Sequence, residues 1–261
     1  MNMKLIVQSD DYGFTPAVTY ATHEAIRDGI IRNTGLFANM PAASLAVQLI
    51  QDCPDVCLGI DINLVSGFPC ADQSQIPALI DHESGEFIRS TVRKADSRWM
   101  KEDLYPYNEV KIETQAQIER FISLTHGRKP AYIHGHSIGE SSANYRQALH
   151  DVGLQYGIPF TRDIWAALGV VRTRNQLKKT MLEQLEYSSE EDILAQLEHL
   201  TDQTYVRIGG HCGYVDAQLF AYSTCTLSRI QDYQMYTSPK IKKFINDHQI
   251  ELVRYNEIYS L

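Results

Sequence analysis

Short apolar runs alternate with amphipathic stretches along most of this chain. Leu5-Ile6-Val7, bounded by polar residues, predicts a buried strand. Val18, Ala21, Ala25 and Ile26 then recur at helical spacing over Ala17 to Asp28, with Thr15 placed to cap, Pro16 suited to the first helical position and Gly29 placed to end the helix. The same reading predicts strands over Thr34–Met40, Cys57–Leu64, Pro130–Ile133, Ile158–Phe160, Thr204–His211 and Glu251–Val253. Helices are predicted over Ala42–Gln51, Val110–Thr125, Asn144–Gln155 and Ser189–Leu200, with Trp165–Tyr187 partly helical. Two more should follow Asp216, the second opened by Ser238 and Pro239, and the tail from Tyr255 reads as a last one.

Strands alternating with helices imply a parallel sheet with right-handed crossovers. The count predicts an α/β fold, an incomplete TIM-like (β/α) barrel of about seven parallel strands, over a single domain spanning 1–261. Between Val65 and Asn108 the periodicity is lost, interrupted by Gly67, Pro69, Pro77, Gly85 and Pro106. A segment this long without regular structure reads as an insertion, 65–108, lying as a lid over the active face. Its aromatics, Phe68, Phe87, Trp99, Tyr105 and Tyr107, could stack on a sugar ring, though packing beneath the loop is the commoner use. No Gly-rich phosphate loop follows the first strand, which argues against a dinucleotide site.

Chemistry collects at the strand ends. The first strand runs into Asp10-Asp11, the third carries Asp61, the fourth enters His134-Gly135-His136 and the sixth ends at His211. In a parallel barrel these ends share one mouth. Three carboxylates gathered there repel one another unless a cation neutralises them, and two carboxylates with an imidazole suit a divalent ion. The other member of the Asp pair is then available as a base. Each residue also has a bland reading: an Asp pair before a helix caps it, and a strand-end His is commonly bonded to backbone carbonyls. His134 and His136, two apart, would share a face on a continuing strand, whereas Cys212 would point away from His211.

Charge narrows the partners. The chain has 261 residues, a net charge of −8 and no basic stripe, which argues against a nucleic-acid partner. Its basic clusters, Arg172-Thr173-Arg174 with Lys178-Lys179 and Lys240 with Lys242-Lys243, read as solvated helix faces. Five cysteines without a paired CxxC spacing fit reduced thiols in the cytoplasm, and no run approaches membrane-spanning length. The acidic surface is compatible with a homodimer.

Taken together, Asp10-Asp11-Tyr12-Gly13, Asn39-Met40-Pro41-Ala42, Gly59 to Leu64, Pro130 to His136, Gly210 to Asp216, and Thr237-Ser238-Pro239 leading to Ile250-Glu251-Leu252 resemble the YdjC-like carbohydrate (chito-oligosaccharide) deacetylase family, over nearly the whole chain. The resemblance implies an incomplete barrel, a divalent metal held by an Asp and two His, and hydrolysis of the N-acetyl group of small chitin-derived sugars, in some members as phosphates. Carried over by position, Asp11 and His136 are metal ligands, Asp10 the catalytic base and His211 the general acid. The family's second metal-binding His is Asp61 here, and His134 stands where the family has an Asp, leaving it as an outer partner or alternative ligand. Trading an imidazole for a carboxylate gives a harder donor set, shifting preference from zinc towards magnesium or manganese, with magnesium preferred.

The expectation is therefore a metal-dependent carbohydrate deacetylase acting on a small saccharide or its phosphate, with Arg162 and Tyr214 as further substrate contacts. Two rivals stay open. One is a glycosidase acting on a disaccharide phosphate, with Asp11 and Asp61, or Asp10 and Glu140, as its carboxyl pair. The other is a non-catalytic sugar-binding protein on an altered enzyme scaffold.

Overall fold

Alternation along the strands divides this molecule into an outer apolar layer and a polar lumen. In the computed structural model, which describes residues 3–139, 141–174, 176 and 178–261, strand β1 spans Lys4–Tyr12. Leu5 and Val7 enter the main hydrophobic core between sheet and helices, while Ile6 faces a smaller inner cluster with Cys57, Tyr132, Trp165, Val253 and Tyr255. A period of two then carries Gln8 and Asp10 to the same side as Ile6.

The chain continues through α1 (Pro16–Arg27), β2 (Asn33–Leu36), α2 (Ala43–Ile50) and β3 (Cys57–Ile62). After the segment that follows β3, which contains α3 (Ser90–Ala95), come α4 (Tyr107–Leu124), β4 (Ile133–Gly135), α5 (Ala143–Tyr156), α6 (Thr161–Leu168) and β5 (Val171–Arg172). Helices α7 (Met181–Glu186) and α8 (Ser189–Glu198) lead to β6 (Tyr205–Gly210), then α9 (Ala217–Tyr222), α10 (Ser228–Thr237), α11 (Pro239–Asp247), β7 (Glu251–Val253) and α12 (Tyr255–Ile258). The sheet has seven strands in the order β4-β3-β2-β1-β6-β5, with β7 beside β1, and every pairing is parallel. It is an incomplete (β/α) barrel, as the alternation of elements predicts.

Three local expectations are corrected. Ile158-Pro159-Phe160 makes only a single bridge to Ile133, because the chain turns at once into α6; the fifth strand is Val171–Arg172. Three helices, not two, separate Asp216 from β7. Arg172 belongs to a strand and Lys178 lines a cleft, so the cluster around 172–179 is not a solvated helix face. Among the described residues, no helix is long and apolar enough to cross a membrane, and the five cysteines are free thiols.

Glu113 of α4 ties the segment after β3 to the barrel. Its carboxylate accepts the Cys70 N–H at 2.9 Å and the Ala71 N–H at 2.8 Å, and Gln117 donates to it at 2.8 Å. Burial outweighs these donors and pushes its acid constant up to about 7 from 4.5. The folded value lies above the unfolded one, so the contribution to stability is complete below the unfolded value and is lost as pH rises through the folded one. Urea unfolding should therefore show the stability gap between wild type and Glu113→Gln moving in the variant's favour by about 1–3 kcal/mol from pH 5 to pH 8. A flat gap would mean that Glu113 folds already ionised.

Candidate active site

The site is built on an irregularity in β1. Ser9 pairs with Thr34 but Tyr12 with Leu36, so β1 carries one extra residue at Asp10-Asp11, and Asp11 takes φ of 68°. Such bulges re-aim side chains, and a short polar residue tolerates the left-handed conformation best. The bulge sends the two adjacent acids to different neighbours.

Asp10 stays in the lumen. Its Oδ1 accepts from Gln8 Nε2 at 2.5 Å and lies 3.5 Å from Arg207 Nη2, while Oδ2 is 3.6 Å from His134 Nε2. Strand pairing sets Asp61 opposite His134, and both point inward. Asp61 fits because Gly35 lacks a side chain: a Cβ there would stand 1.8 Å from Asp61 Oδ1. Asp10, Asp61 and His134 offer one ligand atom each, all within 4.8 Å of one another.

Asp11 faces the mouth. Its Oδ1 lies 2.8 Å from His136 Nδ1, its Oδ2 accepts from Arg229 Nη2 at 2.6 Å, and its N–H donates to Asp61 Oδ2 at 2.8 Å. His136 is braced by the Tyr145 hydroxyl, which accepts the His136 N–H at 2.9 Å, and by an edge contact with Phe37. His211 sits at the end of β6, its N–H donated at 2.7 Å to Asp232, which also accepts from Ser189 at 2.6 Å. Asp11, His136, His211 and Arg229 line a cleft of about 350 Å³, together with Arg89, Lys94 and Lys178.

Electrostatics separates the three acids. Burial alone would raise Asp10, but His134, Arg207 and His211 hold it below the ordinary carboxylate range. Asp11 is likewise held well down against burial by His136 and Arg229. Asp61 goes the other way, raised well above the ordinary value by burial and by its two acidic neighbours. Burial pushes His134 down, towards the neutral imidazole. Among the described residues, Asp61 Oδ1 is buried without a hydrogen-bond partner, as are Arg207 Nη2 and Arg229 Nη1.

The structure thus brings Asp10, Asp11, Asp61, His134, His136 and His211 to one region, but groups them in its own way. The tight ligand-atom cluster is Asp10–Asp61–His134, whereas Asp11 and His136 pair at the mouth and touch that cluster through Asp61. The two histidines do not share a face, because β4 ends at Gly135: His134 lines a second cavity and His136 the cleft. Arg162 lines the second cavity, Tyr214 lines neither and donates to Glu24 at 2.5 Å, and Glu140 lies outside the described residues.

Sequence reasoning missed the two arginines. Arg207, 8% exposed, and Arg229, 1% exposed, provide permanent positive charge that the acidic strand ends lacked on paper. The expectation that only a bound ion could offset those acids is corrected accordingly. Arg207 carried a signal, a lone cation inside the apolar strand Tyr205-Val206-Arg207-Ile208. Arg229, on an ordinary polar helix, carried none.

The fold and site together define an α/β half-barrel whose strand ends gather carboxylates and half-buried imidazoles around a cleft and a second cavity. The chain belongs to the family of YdjC-like proteins, which it matches over residues 4–247. It is 28% identical over 259 residues to carbohydrate deacetylase 2 of Listeria innocua, covering 98% of this chain and 99% of that one. It is 26% identical over 262 residues to the carbohydrate deacetylase of Geobacillus stearothermophilus, covering 98% of each. In structure it resembles an Enterococcus faecalis V583 protein described as a candidate for cellobiose-phosphate cleavage, at 23% identity, with a TM-score of 0.81 and all of both chains covered.

Proposed function

We propose that this protein is a metal-dependent hydrolase that removes the N-acetyl group from a small amino sugar or chito-oligosaccharide, free or as its phosphate. Relatives named carbohydrate deacetylase that match end to end support the reaction class. The observation that carries the reading is the acid–imidazole cluster at the strand ends, in which Asp61 Oδ1 is buried without a hydrogen-bond partner beside the Asp11–His136 pair that lines the cleft.

These residues fit a divalent cation. Two carboxylates with one imidazole form an oxygen-rich donor set, which favours magnesium or manganese over zinc. Asp11, Asp61 and His136 would hold the ion where the cleft reaches it, and the tighter convergence of Asp10, Asp61 and His134 supports the rival set. Asp61 belongs to both. When bound, the ion supplies Lewis-acid polarisation of the acetamide carbonyl and eases ionisation of water.

The remaining work falls to the chain's own groups. Asp10, kept ionised with Arg207 beside it, accepts a proton from the attacking water. Arg229 fixes the Asp11 carboxylate. His211, anchored through its backbone to Asp232, protonates the departing amine, which otherwise leaves poorly at neutral pH. Arg89, Lys94 and Lys178 around the cleft suit a phosphorylated sugar.

Metal analysis with acetate-release assays on chito-oligosaccharides tests this reading. EDTA should abolish turnover and added magnesium or manganese restore it; turnover indifferent to the chelator would favour the glycosidase alternative. His136→Ala should lose the ion while His134→Ala keeps it. The reverse pattern would assign the ion to the lumen set.

A further inference from the structure

A second cavity, about 200 Å³, is lined by Asp10 and meets the main cleft at Ser137, which lines both. Its walls include Asp10, His134, Trp165, Arg172 and Arg207, with the first turn of α6 at Thr161. The proposed hydrolysis uses Asp10 and Arg207 from these walls but gives no role to Trp165 or Arg172.

Its chemistry is cationic and prepared. The Arg207 guanidinium lies 4.8 Å from the centroid of the Trp165 ring, and that of Arg172 lies 5.1 Å from it. Two guanidinium groups beside one indole repel each other unless an anion joins them. Arg207 is held in place: Nε donates to Gln8 Oε1 at 3.2 Å, and Gly209 leaves the space, since a Cβ there would stand 2.2 Å from Nη1. Its Nη2 lies 3.5 Å from Asp10 Oδ1 but is buried with no hydrogen-bond acceptor among the described residues. Two carboxylates act on Arg207, Asp10 beside it and Asp61 close enough to feel its charge. Helix α6 begins at Thr161 with no side-chain cap, so the positive end of its dipole adds to the same field. His134 Nδ1 is 2.8 Å from the Thr161 hydroxyl, which fixes the intervening wall.

We propose that this cavity is a subsite for a small oxyanion, a carboxylate or phosphate, gripped by Arg207 and Arg172 against the Trp165 ring. Guanidinium groups suit both anions through charge-assisted hydrogen bonds. If the deacetylase reading holds, the oxyanion is either the acetate released or a phosphate borne by the sugar.

Trp165 reports on the subsite directly. The chain has two tryptophans, so a Trp99→Phe background leaves Trp165 as the sole indole emitter. Sodium acetate, inorganic phosphate and sodium chloride are titrated at matched ionic strength, and emission is followed without any turnover. Acetate or phosphate should give a saturable change and chloride none, and Arg172→Ala should weaken the midpoint about tenfold or more. Arg172 is exposed, so that variant should fold as the parent does, and circular dichroism checks this. Tighter acetate identifies a product subsite, and tighter phosphate a substrate-substituent subsite. No saturable change, an equal effect of chloride, or an unaltered midpoint in Arg172→Ala would overturn the proposal. Because binding is read without catalysis, its failure is separable from failure of the hydrolase reading.

Discussion

Replacing Asp10 by Asn should lower kcat for acetate release by about 10²–10⁴ with KM little changed, the loss expected when a proton acceptor is removed. Asn matches the shape of Asp, so Gln8 and His134 retain a neighbour of the same size and the fold should survive. What disappears is the negative charge beside Arg207 and the lone pair proposed to take the proton from water. The measurement is steady-state kinetics together with metal content of the purified variant. Full activity would remove Asp10 from the mechanism. Lost activity accompanied by lost metal would instead make Asp10 a ligand, as its convergence with Asp61 and His134 allows.

The second large effect concerns stability. Arg229→Met should cost about 3–5 kcal/mol, the penalty for leaving a buried charge without its partner. Arg229 Nη2 donates to Asp11 Oδ2 at 2.6 Å, and both side chains are almost wholly enclosed. Methionine fills much of the volume, so the loss reports the charge rather than a cavity. The Asp11 carboxyl is held well below its ordinary value of 3.8 in the folded protein, partly by Arg229. That contribution is present above the unfolded value and lost as pH falls through the folded one, so the gap between variant and wild type should narrow in acid. Urea unfolding at pH 7 and again below pH 3.8 measures both. Adding Asp11→Asn to Arg229→Met should recover part of the loss, because it removes the orphaned charge. A change below about 1 kcal/mol, of the size seen for exposed pairs, would show that Asp11 is neutral in the folded protein.

Both effects arise where adjacent positions are driven apart. Asp10 and Asp11 are neighbours in sequence, yet the bulge gives one to the lumen and the other to the mouth. His134 and His136 separate in the same way when β4 stops between them. An unbroken period of two would have set Asp11 on the side of Leu5 and Val7, against the helices. It would also have kept the two imidazoles together. Bulges and strand ends depend on which strand lies alongside, and local pattern does not carry that information.

The sequence by itself determined the alternation of strands and helices, and with it the parallel half-barrel. It also determined which strands end in Asp10-Asp11, in Asp61, in His134 to His136 and in His211. Those features follow from hydrophobic period and turn chemistry, which act within about 20 residues. Only the tertiary structure decided how the acids are neutralised: Arg207 meets Asp10 and Gln8 from about 200 positions away, and Arg229 reaches Asp11 across a separation of 218. It also decided which imidazole serves which carboxylate, and that glycines at 35 and 209 leave room for Asp61 and Arg207. Charge pairing acts through space and is blind to sequence separation. The strand ends therefore announced where chemistry would gather, and packing between distant segments set the charge on each group.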